Sequence, residues 1–191
     1  MATGLTPLTE LEAVNEMLST ISESPVSTLD ENEVIDASIA LNILRNTSVE
    51  VQTRGWWFNS EFSVSMAPNT AKEIVLPTNI LRIDGVATNV IQRGTRLYDR
   101  VDRTFKFEAP VVVDQIVALP FDELPSTARI LITIRAARKF GDRYGGSESL
   151  HTYSAQDEAE ARSAMVDEHI DAEDANMLEG SIFMQNLRLR N

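Results

Sequence analysis

Apolar residues recur at helical spacing near both ends of the chain, and at every second position in the middle. Thr6-Pro7 offers a helix start, with Thr6 as cap and Pro7 at the first helical position. Leu11, Val14, Leu18 and Ile21 then share one face, and Glu10 and Glu12 lie at the positive end of the helix dipole. Ser24-Pro25 closes this helix. A second is predicted from Glu33 to Gly55, with Ile35, Ile39, Leu41, Ile43 and Val49 on a broad apolar face.

The period then changes. Phe62, Val64 and Met66 alternate with Glu61, Ser63 and Ser65, as in a half-buried strand. Turn signals at Pro68-Asn69, Asp84-Gly85 and Arg93-Gly94 separate further strand-like runs, among them Phe105 to Phe107 and Val111 to Val113. Helical character returns at Pro125-Ser126, with Ser126 as cap, and continues through Phe140. Ile130 to Ile134 is β-branched enough to suit a strand, but the length and the basic residues at the end favour helix. Residues 141–147 read as a loop. A last helix spans about Ser154 to Met177, with Ala155, Ala159, Val166, Ile170 and Met177 on one stripe, and Gly180 stops it.

This order predicts an α+β fold: a four-helix-type body with a small, mostly antiparallel β insertion between the second and third helices, and an extended C-terminal tail. The expected divisions are 1–60 and 120–180 for the two halves of the body, 61–119 for the insertion and 181–191 for a docking tail. Both tryptophans fall in Arg-Gly-Trp-Trp-Phe-Asn at 54–59, where helix meets strand. Trp56, Trp57 and Phe58 are expected to anchor that junction in the core.

Composition narrows the chemistry. The 191 residues suit one domain, or one with a sizeable insertion, and contain no cysteine, which excludes disulfides and thiolate sites. The two histidines, His151 and His169, are too few for an all-histidine metal site, and no cofactor is expected. No basic n-region with an apolar core and no membrane-length apolar run occurs, so no membrane insertion is expected, and a cytoplasm is the expected place of synthesis and assembly.

Charge is segregated. The net charge is −12, with eight acids and no Lys or Arg before Arg45, and ten acids against Arg162 alone from Glu148 to Glu179. Such a balance disfavours gripping nucleic acid and suits either a surface that DNA slides past or complementary contacts between copies. Solvated acidic helices are the plainer account. Arg135, Arg138, Lys139 and Arg143 form a short basic stripe that either complements the dipole of its own helix or meets an acidic helix of an adjacent copy.

Catalytic material is thin. Asp99 with Asp102, or Asp122 with Glu123, could be nominated as the paired carboxylates of a glycosidase. Each pair sits beside turn signals, where turn formation is the ordinary role. His151 has no serine in a strained nucleophile turn nearby, and the glycine-rich stretch 141–147 follows a helix and lacks the Lys-Ser/Thr of a phosphate loop. The last eleven residues hold Ile182, Phe183, Met184, Leu187 and Leu189 with Arg188 and Arg190, and those apolar side chains need a surface, on this chain or on a partner.

In order along the chain, several segments resemble the tail tubular protein A family of short-tailed autographivirus-type bacteriophages. They are Glu-Leu-Glu-Ala-Val-Asn-Glu-Met-Leu at 10–18, Glu-Ser-Pro-Val-Ser-Thr-Leu at 23–29, Gln52 with Arg-Gly-Trp-Trp-Phe-Asn, Leu-Tyr-Asp-Arg at 97–100, Asp122 to Phe140, and Asn-Met-Leu-Glu-Gly at 176–180 with the Leu-Arg-rich end. The sheet insertion matches least well. The resemblance implies a structural virion protein without enzymatic activity or cofactor. It would form a homo-oligomeric head-tail adaptor ring, twelve copies expected, between the portal protein and the tail nozzle (tail tubular protein B). DNA would pass through without specific binding during ejection, and residues 182–190 would reach the portal. The alternative is a tail component that also hydrolyses host-envelope glycan or peptidoglycan.

Overall fold

The computed structural model describes residues 7–29, 34–86, 89–144 and 148–180, with the backbone alone described at 148–154 and 174–180. Among these residues, four α-helices and five strands follow in the order α1 (Glu10–Ser19), α2 (Ile35–Gln52), β1 (Ser60–Met66), β2 (Ile80–Gly85), β3 (Val90–Arg93), β4 (Arg96–Asp99), β5 (Val111–Val117), α3 (Ser126–Arg143) and α4 (Glu148–Gly180). The fold is α+β, with an antiparallel β region between the second and third helices. Residues 181–191, the predicted docking tail, lie outside the described residues.

The chain divides into two compact units, Met1–Ser48 with Phe121–Asn191 and Val49–Pro120. In the helical unit, Arg129 of α3 reaches Leu8 just before α1, and Thr20 at the end of α1 lies against Gly141. Helices α1 and α3 are therefore parallel. Arg45 of α2 meets Glu10, and Asp36 meets Tyr144, so α2 runs the other way. Helix α4 is antiparallel to α3, because Arg135 meets Glu158 while Thr127 meets Glu168. Val14, Met17, Leu44, Ile132, Phe140 and Met165 form the buried centre.

Helix α1 begins later than the sequence suggests. Its cap is Thr9, not Thr6-Pro7: the Thr9 hydroxyl accepts from the Glu12 N–H at 3.2 Å, and the Glu12 carboxylate accepts from the Thr9 N–H at 2.8 Å. This reciprocal box satisfies two donors at once, and a start at Thr6 has no such box because the residue three on is Thr9 and not Glu or Gln. The helix also ends before Ser24-Pro25. Ser22 takes φ 62°, and the Glu23 N–H turns back to the Leu18 carbonyl. Asn15 then clamps the backbone of Val26 through both N–H and C=O, folding the connection onto α1.

In the β unit, β5 is central in a three-stranded sheet of order β1-β5-β2, and β3 pairs with β4 in a separate hairpin. All pairings are antiparallel. Ile74, Leu76, Ile83, Leu97, Phe107 and Val113 are buried together as its core. Gly94, at φ 61°, occupies the first position of the two-residue β3–β4 loop, the place that a primed turn assigns to glycine. By contrast, Asp84-Gly85 ends β2 within the ladder instead of making a turn.

Four further expectations change. Phe62 is 68 % exposed, because Phe62 and Ser63 together oppose Asp114 in a bulge with Ser63 at φ 56°; the extra residue interrupts the alternation there. Ser126 is inside α3, whose preceding residue Pro125 makes no side-chain cap. Gly141 to Arg143 continue α3, so only part of 141–147 is loop. On α4 the predicted stripe is displaced: Ala155, Ala159 and Ile170 are exposed, Met165 is fully buried, and Glu158 and Glu168 share its inward side. Met177 belongs to that stripe in the sequence but lies where the backbone alone is described.

Candidate functional site

The basic stripe of α3 is joined to α4. Glu158 accepts from Arg135 Nε at 2.7 Å and from Arg138 Nε at 2.8 Å, with Arg138 Nη2 also within 2.6 Å. Side-chain exposures of 14 % for Arg135 and Glu158 and 26 % for Arg138 set this fork apart from a solvated pair. Burial pushes the Glu158 carboxyl up, but the bonds and charges of the two guanidinium groups outweigh it and hold the pKa below the usual value. Lys139 is half-buried, while Arg143 is exposed in the last turn of α3, where a cation complements the helix dipole.

A fourth arginine of α3, Arg129, lies outside the basic stripe and is not marked by it. Arg129 is 9 % exposed, and its guanidinium donates to three backbone carbonyls: Leu124 at 2.8 Å, Leu8 at 3.0 Å and Asp122. It gathers the segment before α1, the 3₁₀ turn Phe121–Glu123 and Leu124 just after that turn onto one side chain of α3. Its signal was available: a lone cation among Ala128, Leu131 and Ile132 on an apolar helix face must find buried acceptors.

The aromatic hexapeptide is held by amides. Trp56 is buried at 5 % and donates its indole N–H to the Val51 carbonyl at 2.8 Å. Trp57 and Phe58 are only half-buried and meet edge to face at 5.0 Å, so the expected three-ring core anchor narrows to Trp56. Asn59, 2 % exposed, accepts from the Trp56 N–H and donates to the carbonyls of Gln52 and Val117. Gln52 in turn exchanges two bonds with the backbone of Leu119. These two buried amides tie the last turn of α2 to the end of β5. Both lie in or beside a motif chosen for its rings, which hid them.

The outward face of the β3–β4 hairpin carries a stacked row. The Arg93 guanidinium lies 3.6 Å from the Tyr98 ring centroid, Tyr98 meets Phe105 edge to face at 4.9 Å, and Arg96 lies 4.2 Å from the Phe105 centroid. Glu73 accepts from Arg96 and from Lys106, and their hydrogen bonds, Lys106 first, hold its carboxyl below the usual range. Leu97 and Val90, which alternate with these positions, point into the core.

The nominated carboxylate pairs are exposed or serve turns. Asp99 accepts from the N–H groups of Val101 and Asp102, and Asp102 itself is exposed. Asp122 and Glu123 are exposed in the 3₁₀ turn, where Asp122 contributes its backbone carbonyl to Arg129. His169 is half-buried on α4, and the side chain of His151 is outside the described residues. Among the described residues, no helix is long and apolar enough to cross a membrane, and no group of three or more His, Asp or Glu is placed to hold a metal ion.

These features are devices for joining elements and presenting surfaces. They agree with what the chain is similar to. The model of the tail tubular protein family matches residues 11–175. Tail tubular protein A of Klebsiella phage KP34 is 26 % identical over 164 residues, covering 84 % of this chain and 87 % of that protein. The family match runs from α1 through most of α4 and includes both units, so this chain belongs to the tail tubular protein family, structural components of phage tails.

Proposed function

We propose that the chain forms a ring joining the portal protein to the tail nozzle and lining the DNA exit channel, with twelve copies expected. The observation that supports this reading is the placement of charge. Residues 49–120 hold eight basic and eight acidic side chains, so the whole net charge of −12 falls on the helical unit. A wall of that sign repels phosphates and lets DNA pass without the counterion release that drives adhesion. In this reading the helical unit forms the ring body and the β unit meets the nozzle protein, tail tubular protein B.

Within the ring, Lys139 and Arg143 would contribute contacts between copies, with Arg135 and Arg138 fixing the underlying α3–α4 pair. Ile182, Phe183, Met184, Leu187 and Leu189, with Arg188 and Arg190, would dock on the portal and bury apolar side chains that an eleven-residue tail cannot cover alone. Assembly would take place in the host cytoplasm and end in the virion tail.

Electron microscopy of the protein mixed with the portal of its own phage tests the proposal. A new ring on the narrow end of the portal is the expected result. Portal particles without added density, with both proteins folded, would overturn it.

A further inference from the structure

The outward face of the β3–β4 hairpin has the composition of an interface centre. Arg93, Tyr98, Phe105 and Arg96 stack in sequence, and the exposed Val75 is bridged to Arg96. Arginine and tyrosine are the side chains most enriched where protein partners meet. Here the cation–π contacts fix the guanidinium planes before any partner arrives, which lowers the ordering cost of docking. Arg93 is exposed and stacks on a ring, leaving the edge of its guanidinium as a ready fork for a carboxylate.

The same segment is locally basic. Residues 90–107 hold five Arg or Lys against two Asp, within a unit that carries no net charge as a whole. The complementary surface is on the chain itself. Asp157, Glu160, Asp167 and Asp171 are exposed on α4, and at helical spacing they fall within about 80° of arc. Glu158 and Glu168, by contrast, turn toward α3.

We infer that the Arg93–Tyr98–Phe105–Arg96 face of one copy docks on the Asp157–Asp171 row of α4 in a second copy. The inference rests on the ring reading above and names the contact that builds the ring. Two different patches of one chain make a head-to-tail interface, which closes into a ring where a self-complementary patch would stop at a dimer. Charge pairing at the rim sets register, while the stacked rings supply the buried centre.

The test is charge reversal with rescue, using the full chain. Arg93→Glu leaves an exposed side chain exposed and should keep the native circular dichroism spectrum. It is expected to weaken self-association, read by sedimentation and by ring formation on the portal, at least about tenfold. Changing Asp157, Asp167 and Asp171 together to Lys should do the same, and the combined variant should recover assembly. Rings from Arg93→Glu that match wild type, or no recovery in the combined variant, would overturn the inference while leaving the ring standing. Failure of the wild-type chain to form rings would overturn both. If Arg93→Glu lost duplex DNA binding with assembly intact, the face would be a nucleic-acid surface and the docking inference would fall.

Discussion

Glu158 of α4 accepts a hydrogen bond on each carboxylate oxygen from a different arginine of α3, Arg135 on one and Arg138 on the other. One acid therefore holds two cations that sit a helical turn apart. Removing it leaves both guanidinium groups beside a largely buried amide or cavity. Glu158→Gln is expected to destabilise the chain by about 2–4 kcal/mol, measured by denaturant unfolding. A loss under about 0.5 kcal/mol would reduce the fork to a surface pair.

The same carboxylate gives a pH dependence of definite sign. Its folded pKa lies below the usual 4.5 because the two guanidinium groups overcome the effect of burial. Its contribution is therefore fully present above that value and is lost as pH falls through the lower, folded value. Melting temperature should drop more steeply below about pH 4.5 in wild type than in Glu158→Gln. Parallel acid limbs in the two proteins would show that other carboxylates govern acid unfolding.

Arg129 makes a contrasting case, since its partners are carbonyls and not carboxylates. Arg129→Lys keeps the charge but loses the planar fork that reaches Leu8, Asp122 and Leu124 together. We expect a loss of about 2–3 kcal/mol for Lys and about 3–5 kcal/mol for Ala. The segment before α1 should also become open to proteolysis near Leu8. Unchanged cleavage there would mean that Arg129 does not secure it.

The sequence shows the fold class, because helical spacing persists through α1, α2 and α3, and strand-like runs such as Phe62 to Met66 and Val111 to Val113 fill the stretch between α2 and α3. It shows Arg93-Gly94 as a turn for a different reason: glycine takes φ 61° without the steric cost a Cβ would bring. What it hides depends on contacts distant in sequence. The inward side of α4 is chosen by Arg135, Arg138 and Thr127, which draw Glu158 and Glu168 inward and turn Ile170 out. Apolar spacing cannot report a helix face that is held by carboxylates. Phe62 is misread because it lies in the bulge itself, opposite Asp114 together with Ser63, while Val64 and Met66 beyond it pack against the core as their alternation implies. Gln52 and Asn59 are missed because buried amides carry no periodic signal at all.

Gly55 tests how tightly the end of α2 is seated on β5. It has φ 78°, and a Cβ there would meet Ile116 Cδ1 at 2.6 Å. Two penalties act together, backbone strain and overlap with a buried side chain. Gly55→Ala should cost about 2–4 kcal/mol, read as a lowered melting temperature. Adding Ile116→Val removes the Cδ1 atom and should recover part of the loss. Failure to recover would assign the cost to φ alone.

The two tryptophans should separate in the same assay, although they are adjacent and chemically identical. Trp56 is buried and bonded through its indole to Val51, whereas Trp57 is half-buried against the edge of Phe58. Trp56→Ala should destabilise by about 3–5 kcal/mol, and Trp57→Ala by about 1–2 kcal/mol. Asn59→Ala supplies the decisive comparison, because it removes three hydrogen bonds without removing a ring. A loss of about 2–4 kcal/mol is expected for Asn59→Ala. It should also shift the Trp56 fluorescence to longer wavelength as that ring loosens. If Asn59→Ala is neutral while Trp56→Ala is severe, ring burial alone holds this segment and the amide network is incidental. If the two are comparable, the amides are what give Trp56 a fixed site to fill.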